Sequence, residues 1–195
     1  SGSFNYPSFT IEAKVGEPVR VKWMNQLVKA DGNYLPHLLP VDQTLHWANP
    51  PGGPGGRDEE AFDATPYRGP VPIVTHLHGG HSAQESDGYT EAWYLPAASN
   101  IPAGFAREGT WYEFFKTEFS NKFGEVWQPG TATFQYPNDQ RAGTFWYHTH
   151  RHGSTALQVR DLTAGYGDSA VIRGASFAVP QGATLVVLGD SGCGK

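Results

Sequence analysis

The chain has 195 residues, of which 38% are hydrophobic and 13% aromatic, and its formal net charge is −5. This apolar content is typical of a folded protein and excludes an intrinsically disordered one. The negative charge argues against nucleic acid or an anionic membrane as a partner, and no apolar run approaches the ~20 residues of a membrane-spanning helix. With 24 glycines and 15 prolines, the composition favours a turn-rich β architecture over a helical bundle.

The first 70 residues predict the opening of a β-sandwich and then a long excursion. Apolar and polar residues alternate over residues 9–15 and 19–23, so two short strands joined by a tight turn are expected. Residues 49–60 contain PPGGPGG and then four charged residues, which predicts an exposed, mobile loop. His37 and His46 stand alone here, and we expect them to pack or to face solvent rather than to bind a metal.

Residues 71–76 (VPIVTH) predict an apolar strand that ends in the first of two histidine pairs. His76 and His78 are two residues apart, and on a strand this spacing directs both imidazoles to one face, about 6.5–7 Å apart. Gly79 and Gly80 would let the backbone pass close to a metal without side-chain obstruction. His81 follows these glycines and is expected to be a loop residue.

Two carboxylates, Glu85 and Asp87, follow the first pair and are candidates for acid–base chemistry. A carboxylate near a metal can relay protons or orient a ligand histidine. The ordinary alternative for Asp87 is an Asp-Gly turn, so both interpretations stay open until the geometry is known.

Residues 91–127 are rich in aromatic side chains, which we expect to pack in the core and on sheet faces, although a substrate-stacking groove is conceivable. Residues 131–136 (TATFQY) alternate and predict a strand. The second histidine pair, His148 and His150, then follows, and we expect Trp146 and Tyr147 to shield it from water.

Two matched His-x-His pairs predict a cluster of four imidazoles, formed by His76, His78, His148 and His150. Imidazole suits copper, zinc, iron and nickel, so ligand type alone leaves the metal open.

The segments HLHGGH (76–81), ESDGY (85–89), EAW (91–93), YPN (136–138) and TFWYHTH (144–150) together resemble the first cupredoxin domain of multicopper oxidases. The similarity covers about residues 9–159, and the nearest branch is the bacterial spore-coat laccase and bilirubin oxidase group. Thr149 departs from that branch, which has Asp between the two histidines of the second pair.

The resemblance implies a partial trinuclear copper cluster, with His76 on the type 2 copper and His78, His148 and His150 on the type 3 pair. It also places Asp87 beside that cluster as a catalytic carboxylate. The implied partners are copper ions, dioxygen and a small-molecule reducing substrate, together with further cupredoxin domains or a second chain. By the same resemblance the location is extracytoplasmic or at a spore surface.

The only cysteine is Cys193, which excludes an internal disulfide. A type 1 copper site needs a cysteine thiolate with two imidazoles, and the cupredoxin-like region has no cysteine. We therefore expect the chain to lack that site. The resemblance further implies that half of the trinuclear ligands lie outside this chain, so that we expect it to be incomplete as an enzyme.

The tail, residues 160–195, resembles the start of an ABC-transporter ATPase subunit, because residues 189–195 (GDSGCGK) form a Walker A loop up to its lysine. The Ser or Thr hydroxyl that would bind Mg²⁺ is missing. Alternatively, residues 170–188 complete the cupredoxin sandwich as its last strands.

The predicted fold is therefore an all-β, cupredoxin-like Greek-key β-sandwich over residues 1–159 with a C-terminal β-hairpin tail. The predicted function is that of a copper-binding multicopper oxidase domain. The alternatives are a nucleotide-binding ABC-type ATPase fragment and a metal-free structural β domain.

Overall fold

The computed structural model describes residues 10–38, 41–61, 65–149, 157–166 and 169–179, the last two ranges as backbone. The described residues contain six strands, which pair antiparallel as three two-stranded sheets. Their bounds are Val19–Met24 (β1), Thr75–His78 (β2), Thr131–Tyr136 (β3), Trp146–Thr149 (β4), Leu157–Tyr166 (β5) and Ser169–Val179 (β6). Strand β1 pairs with β3, β2 with β4 and β5 with β6. The described chain is thus mostly strand and loop with small antiparallel sheets, as the composition predicts.

Strands β1 and β3 confirm two strands predicted from alternation. Their register places Val21 opposite Phe134 and Trp23 opposite Ala132. In β1, Val19, Val21 and Trp23 are half-buried and the residues between and after them, including Met24, are exposed, whereas β3 is buried along most of its length. This sheet therefore has one face in the core and an edge strand with a solvated face.

The predicted strand before β1 is not formed over residues 10–14, the part of it that the structure describes. The chain instead reaches β1 through a turn at Gly16, which has φ +78° and donates its N–H to the carbonyl oxygen of Asn138 at 2.7 Å. The turn at Gly16 is confirmed, but alternation alone was a poor guide because residues 10–14 find no strand partner there.

Two helices, Gly53–Gly56 (α1) and Tyr112–Phe123 (α2), lie between the strands. Helix α2 is not anticipated by the all-β prediction, although the described chain is mostly strand and loop. It buries Tyr112, Phe115 and Phe119, which recur at intervals of three and four residues and so line one helical face. Gly124 ends the helix in the left-handed conformation, and its N–H bonds to the carbonyl oxygen of Ser120 at 2.8 Å. No helix in the described part of the chain is long and apolar enough to cross a membrane.

Residues 49–60 are partly exposed, as predicted, but they do not form an irregular loop. The segment folds into a 3₁₀ turn (Pro50–Gly52) and helix α1, and it buries Pro50 and Gly53. Its anchor is the buried carboxylate of Asp58, which accepts a hydrogen bond from Trp93 Nε1 at 2.5 Å and another from the N–H of Thr110 at 2.8 Å. The glycines, prolines and charged residues of this segment predict a loop, but the buried Asp58 carboxylate and its hydrogen bonds hold the segment in place.

The main hydrophobic core joins α2, β3 and the segment after β2. Its largest members are aromatic, which confirms that most aromatic residues of the region 91–127 serve packing. These core aromatics are Trp93, Tyr94, Tyr112, Phe115, Phe119, Trp127, Phe134 and Tyr136. A second, smaller cluster holds Val41, Trp47 and Tyr67.

Candidate metal centre

Strands β2 and β4 bring the two histidine motifs into direct register. His76 lies opposite His148, and His78 lies opposite Trp146. Because side chains alternate along a strand, His76, His78 and His148 share one face, while Leu77 and Tyr147 share the other. The ring centroids are 5.7 Å apart for His76–His78, 5.6 Å for His76–His148 and 5.7 Å for His78–His148. The three imidazoles thus form a nearly equilateral triangle.

Hydrogen bonds to carbonyl oxygens orient two of the three rings. His76 Nδ1 lies 2.6 Å from the carbonyl oxygen of Asp87, and His148 Nδ1 lies 3.2 Å from that of Thr149. A carbonyl oxygen can only accept, so each Nδ1 carries a proton, and in the neutral form of the ring Nε2 then holds the lone pair. Nε2 is therefore the nitrogen that these rings can offer to a metal, in the arrangement that metal-binding histidines commonly adopt.

Asp87 meets His76 mainly through its backbone. Its side-chain Oδ1 is 3.6 Å from His76 Nδ1, farther than the carbonyl oxygen, and the side chain is 49% exposed. The following Gly88 has φ +79°, and a Cβ added there would lie 2.7 Å from the carbonyl carbon of Thr75 and closer still to its oxygen. Glycine is required here because the segment is pressed against β2. Asp87 thus combines the turn role and a position beside a histidine ring.

Glu85 is not directed at the histidines as an acid–base group. It lies in a 3₁₀ turn (Gln84–Ser86), is only 1% exposed, and accepts a hydrogen bond from Lys122 Nζ of helix α2 at 2.8 Å. The sequence analysis overlooked Lys122. A charged residue late in a helix is usually solvated, and only the tertiary contact distinguishes this one.

The opposite face of β2 and β4 borders a cavity of about 1090 Å³. Leu77 and Tyr147 line it together with the half-buried side of β1, and the rings of Tyr147 and Trp23 lie 5.2 Å apart. Trp23 Nε1 donates to the hydroxyl of Tyr136 at 3.1 Å, and burial raises the pKa of Tyr136 to about 12. Tyr147 therefore faces the cavity and does not cover the imidazoles as predicted. Trp146 shares their face but is 63% exposed.

The remaining histidines of the described chain lie apart from the triangle, as the sequence predicts. His37 is buried with its ring 5.8 Å from that of Tyr67. His46 Nε2 is 3.2 Å from Glu91 Oε1, and the exposed His81 pairs with Asp139 at 3.0 Å. His150 and His152 lie outside the described residues.

Within the described residues, no group of three or more histidine, cysteine, aspartate or glutamate side chains is arranged to hold a single metal ion.

Comparison with known proteins identifies the class to which these motifs correspond. The chain is related to the multicopper oxidases, with identities of 30–34% over roughly 80–90% of its length. No protein-family model matches it.

Three relatives show the extent of this similarity. "Multicopper oxidase LPR1 homolog 1" of Oryza sativa subsp. japonica is 34% identical over 179 residues, which cover 91% of this chain and 22% of the rice protein. A "Laccase" of Bacillus stratosphericus is 34% identical over 160 residues, 82% of this chain and 22% of that protein. "Multicopper oxidase LPR1" of Arabidopsis thaliana is 31% identical over 167 residues, 86% of this chain and 20% of that protein.

The chain spans about a fifth of the length of these curated relatives. The rice match covers 91% of the chain, so it extends beyond residue 159 into the tail. These relatives give no support to the resemblance between the tail and an ABC ATPase subunit.

Proposed function

We propose that this chain is a copper-binding cupredoxin domain of a multicopper oxidase and supplies four imidazoles to a trinuclear copper cluster. His76 would bind the type 2 copper, and His78, His148 and His150 the type 3 pair. When bound, the cluster would supply the reduction of dioxygen to water at the expense of a small-molecule reducing substrate. This assignment rests on the relation to multicopper oxidases and on the histidine triangle.

The triangle is the observation that carries the proposal. Its three members come from two strands separated by about 70 residues, yet the register of β2 and β4 brings their ring centroids within 5.7 Å of one another. Because Nδ1 of His76 and Nδ1 of His148 each contact a carbonyl oxygen, Nε2 is the nitrogen that would bind a metal in both rings. Imidazole nitrogen suits copper as well as zinc, iron and nickel, and the relation to multicopper oxidases favours copper among these metals.

The chain's own residues would perform two tasks around such a cluster. Strands β2 and β4 hold the imidazoles at fixed spacing, so that little reorganisation is needed when metal binds. The Asp87 carboxylate lies between solvent and the His76 ring, 3.6 Å from Nδ1 and half exposed. It would pass protons from water toward the site, as a reaction that consumes protons requires.

Copper stoichiometry and affinity on the wild type and on two single variants, His78→Ala and His148→Ala, test the proposal. Each variant removes one ring of the triangle, so each should lose most of the copper affinity of the wild type. The matched control is His81→Ala, which removes an exposed histidine outside the triangle. Unchanged copper binding in both triangle variants would refute the assignment and favour a metal-free structural β domain.

A further inference from the structure

The 3₁₀ turn Gln84–Ser86 is fixed on both sides by other elements. The Ser86 hydroxyl accepts a hydrogen bond from the backbone N–H of Gln135 in β3 at 3.1 Å, and Ser86 is fully buried. The Glu85 carboxylate, also buried, accepts one from Lys122 Nζ in α2 at 2.8 Å. Two elements remote in sequence thus hold two adjacent residues of one short turn.

This turn leads directly into the group that orients His76. Asp87 follows Ser86, and its carbonyl oxygen receives the Nδ1 proton of His76 at 2.6 Å. The next residue, Gly88, is pressed against the backbone of Thr75 in β2. No flexible segment lies between the fixed turn and the carbonyl, so a displacement of the turn would displace the carbonyl as well.

We infer that Lys122 and Ser86 are positioning residues, which fix the turn whose end sets the ring orientation and tautomer of His76. The geometric part stands on the contacts above, and its value for copper binding rests on the proposed function. Without the Lys122 ammonium, the buried Glu85 carboxylate would lose its cationic partner and move toward water. This movement would pull on the turn and loosen the Asp87 carbonyl from the His76 ring.

A loosened ring would no longer be held with the proton on Nδ1. It would exchange between both tautomers, and in one of them Nε2 carries the proton and cannot bind a metal. Loss of such an outer hydrogen bond commonly lowers metal affinity about 10–100-fold. A lysine that served only stability would leave the tautomer of His76 unchanged in the folded protein.

The test is the side-chain ¹⁵N spectrum of His76 in the metal-free full chain, recorded at alkaline pH. The wild type should show protonated Nδ1 and unprotonated Nε2. Lys122→Met should shift the averaged signals toward the other tautomer, and Lys122→Arg should restore them because it keeps the cation. Lys116→Met is the matched control, since it breaks an ion pair with Glu113 on the same helix but away from the turn.

Ser86→Ala provides a second route if Lys122→Met does not fold, because it loosens the same turn by removing the acceptor of the Gln135 N–H. A tautomer shift in either folded variant, absent from Lys116→Met, supports the inference. Wild-type His76 signals in every folded variant that loosens the turn overturn it. The readout needs no metal, so a failure of copper binding in the wild type would refute the proposed function and leave this result standing.

Discussion

Replacing Gly88 by alanine should destabilise the protein more than the same change at a glycine with a similar positive φ whose added Cβ would meet open space. Gly88 has φ +79°, where an L side chain costs about 1–2 kcal/mol. In addition, the new Cβ would lie 2.7 Å from the carbonyl carbon of Thr75 and 3.1 Å from Cα of His76. These atoms belong to the backbone of β2, so they cannot turn away as a flexible side chain would.

The clash forces the 87–88 segment and β2 apart, and such overpacking adds about 1–3 kcal/mol. The total of about 2–5 kcal/mol is a large part of the ~5–15 kcal/mol that stabilises a typical domain. The matched control is Gly124→Ala. That glycine has φ +70° at the end of α2, and its Cβ would meet nothing within 4 Å. The control therefore pays the conformational strain alone, and the effect on the unfolded chain is the same for both changes.

Urea unfolding of the wild type and both variants measures the difference. An extra ~1–3 kcal/mol for Gly88→Ala corresponds to a midpoint roughly 1 M lower than that of Gly124→Ala. If the two variants unfold at the same midpoint, the close approach of Gly88 to β2 is not a real constraint. The reasoning about how Asp87 is held against His76 would then fail with it.

Three further predictions concern pH, metal and nucleotide. Burial raises the pKa of Tyr94, Tyr112 and Tyr136, so the folded state favours their neutral form. The free energy of unfolding should therefore be retained below about pH 10 and fall above it by about 1.4 kcal/mol per pH unit for each tyrosine. Unfolding free energies measured between about pH 9 and 12 should fall less steeply for Tyr136→Phe than for the wild type. With copper supplied, the isolated chain should lack the blue absorption of a type 1 site, because its only cysteine is Cys193. It should also show no laccase turnover in an oxygen electrode, because the other trinuclear ligands are expected elsewhere. Sustained oxygen consumption would contradict this prediction. Calorimetric titration with Mg-ATP should detect no saturable binding, since the relatives that match this chain are multicopper oxidases and laccases and give no support to a nucleotide-binding tail.

Alternating polarity predicts two of the three strands expected from it. Residues 19–23 and 131–136 lie in the expected strands, whereas residues 10–14 form none. Helix α2 carries an equally regular signal in Tyr112, Phe115 and Phe119, with Gly124 as its end. The abundance of aromatic residues in this region favours core and sheet packing, and only their spacing of three and four residues indicates a helix.

For the histidine site, too, the sequence predicts local spacing but not tertiary contacts. The two-residue spacing of His76 and His78 is enough to place both rings on one face. Nothing local fixes the register that sets His148 opposite His76, because that pairing depends on the fold of the chain between them. The contact between the Asp87 carbonyl oxygen and the His76 ring is even harder to predict from the sequence, because every residue type has a backbone carbonyl.

The identity of a side chain therefore predicts its chemistry better than its orientation. Asp87 was singled out for its carboxylate, yet the atom closest to His76 is its carbonyl oxygen, which every residue type possesses. What makes the position special is the glycine that follows and the turn that precedes it. Replacement of Asp87 by asparagine would keep the carbonyl and remove only the carboxylate, so that variant separates the orienting role from proton transfer. The orienting role predicts an unchanged His76 tautomer, and a proton-transfer role would appear only in the pH dependence of oxygen reduction by an assembled oxidase.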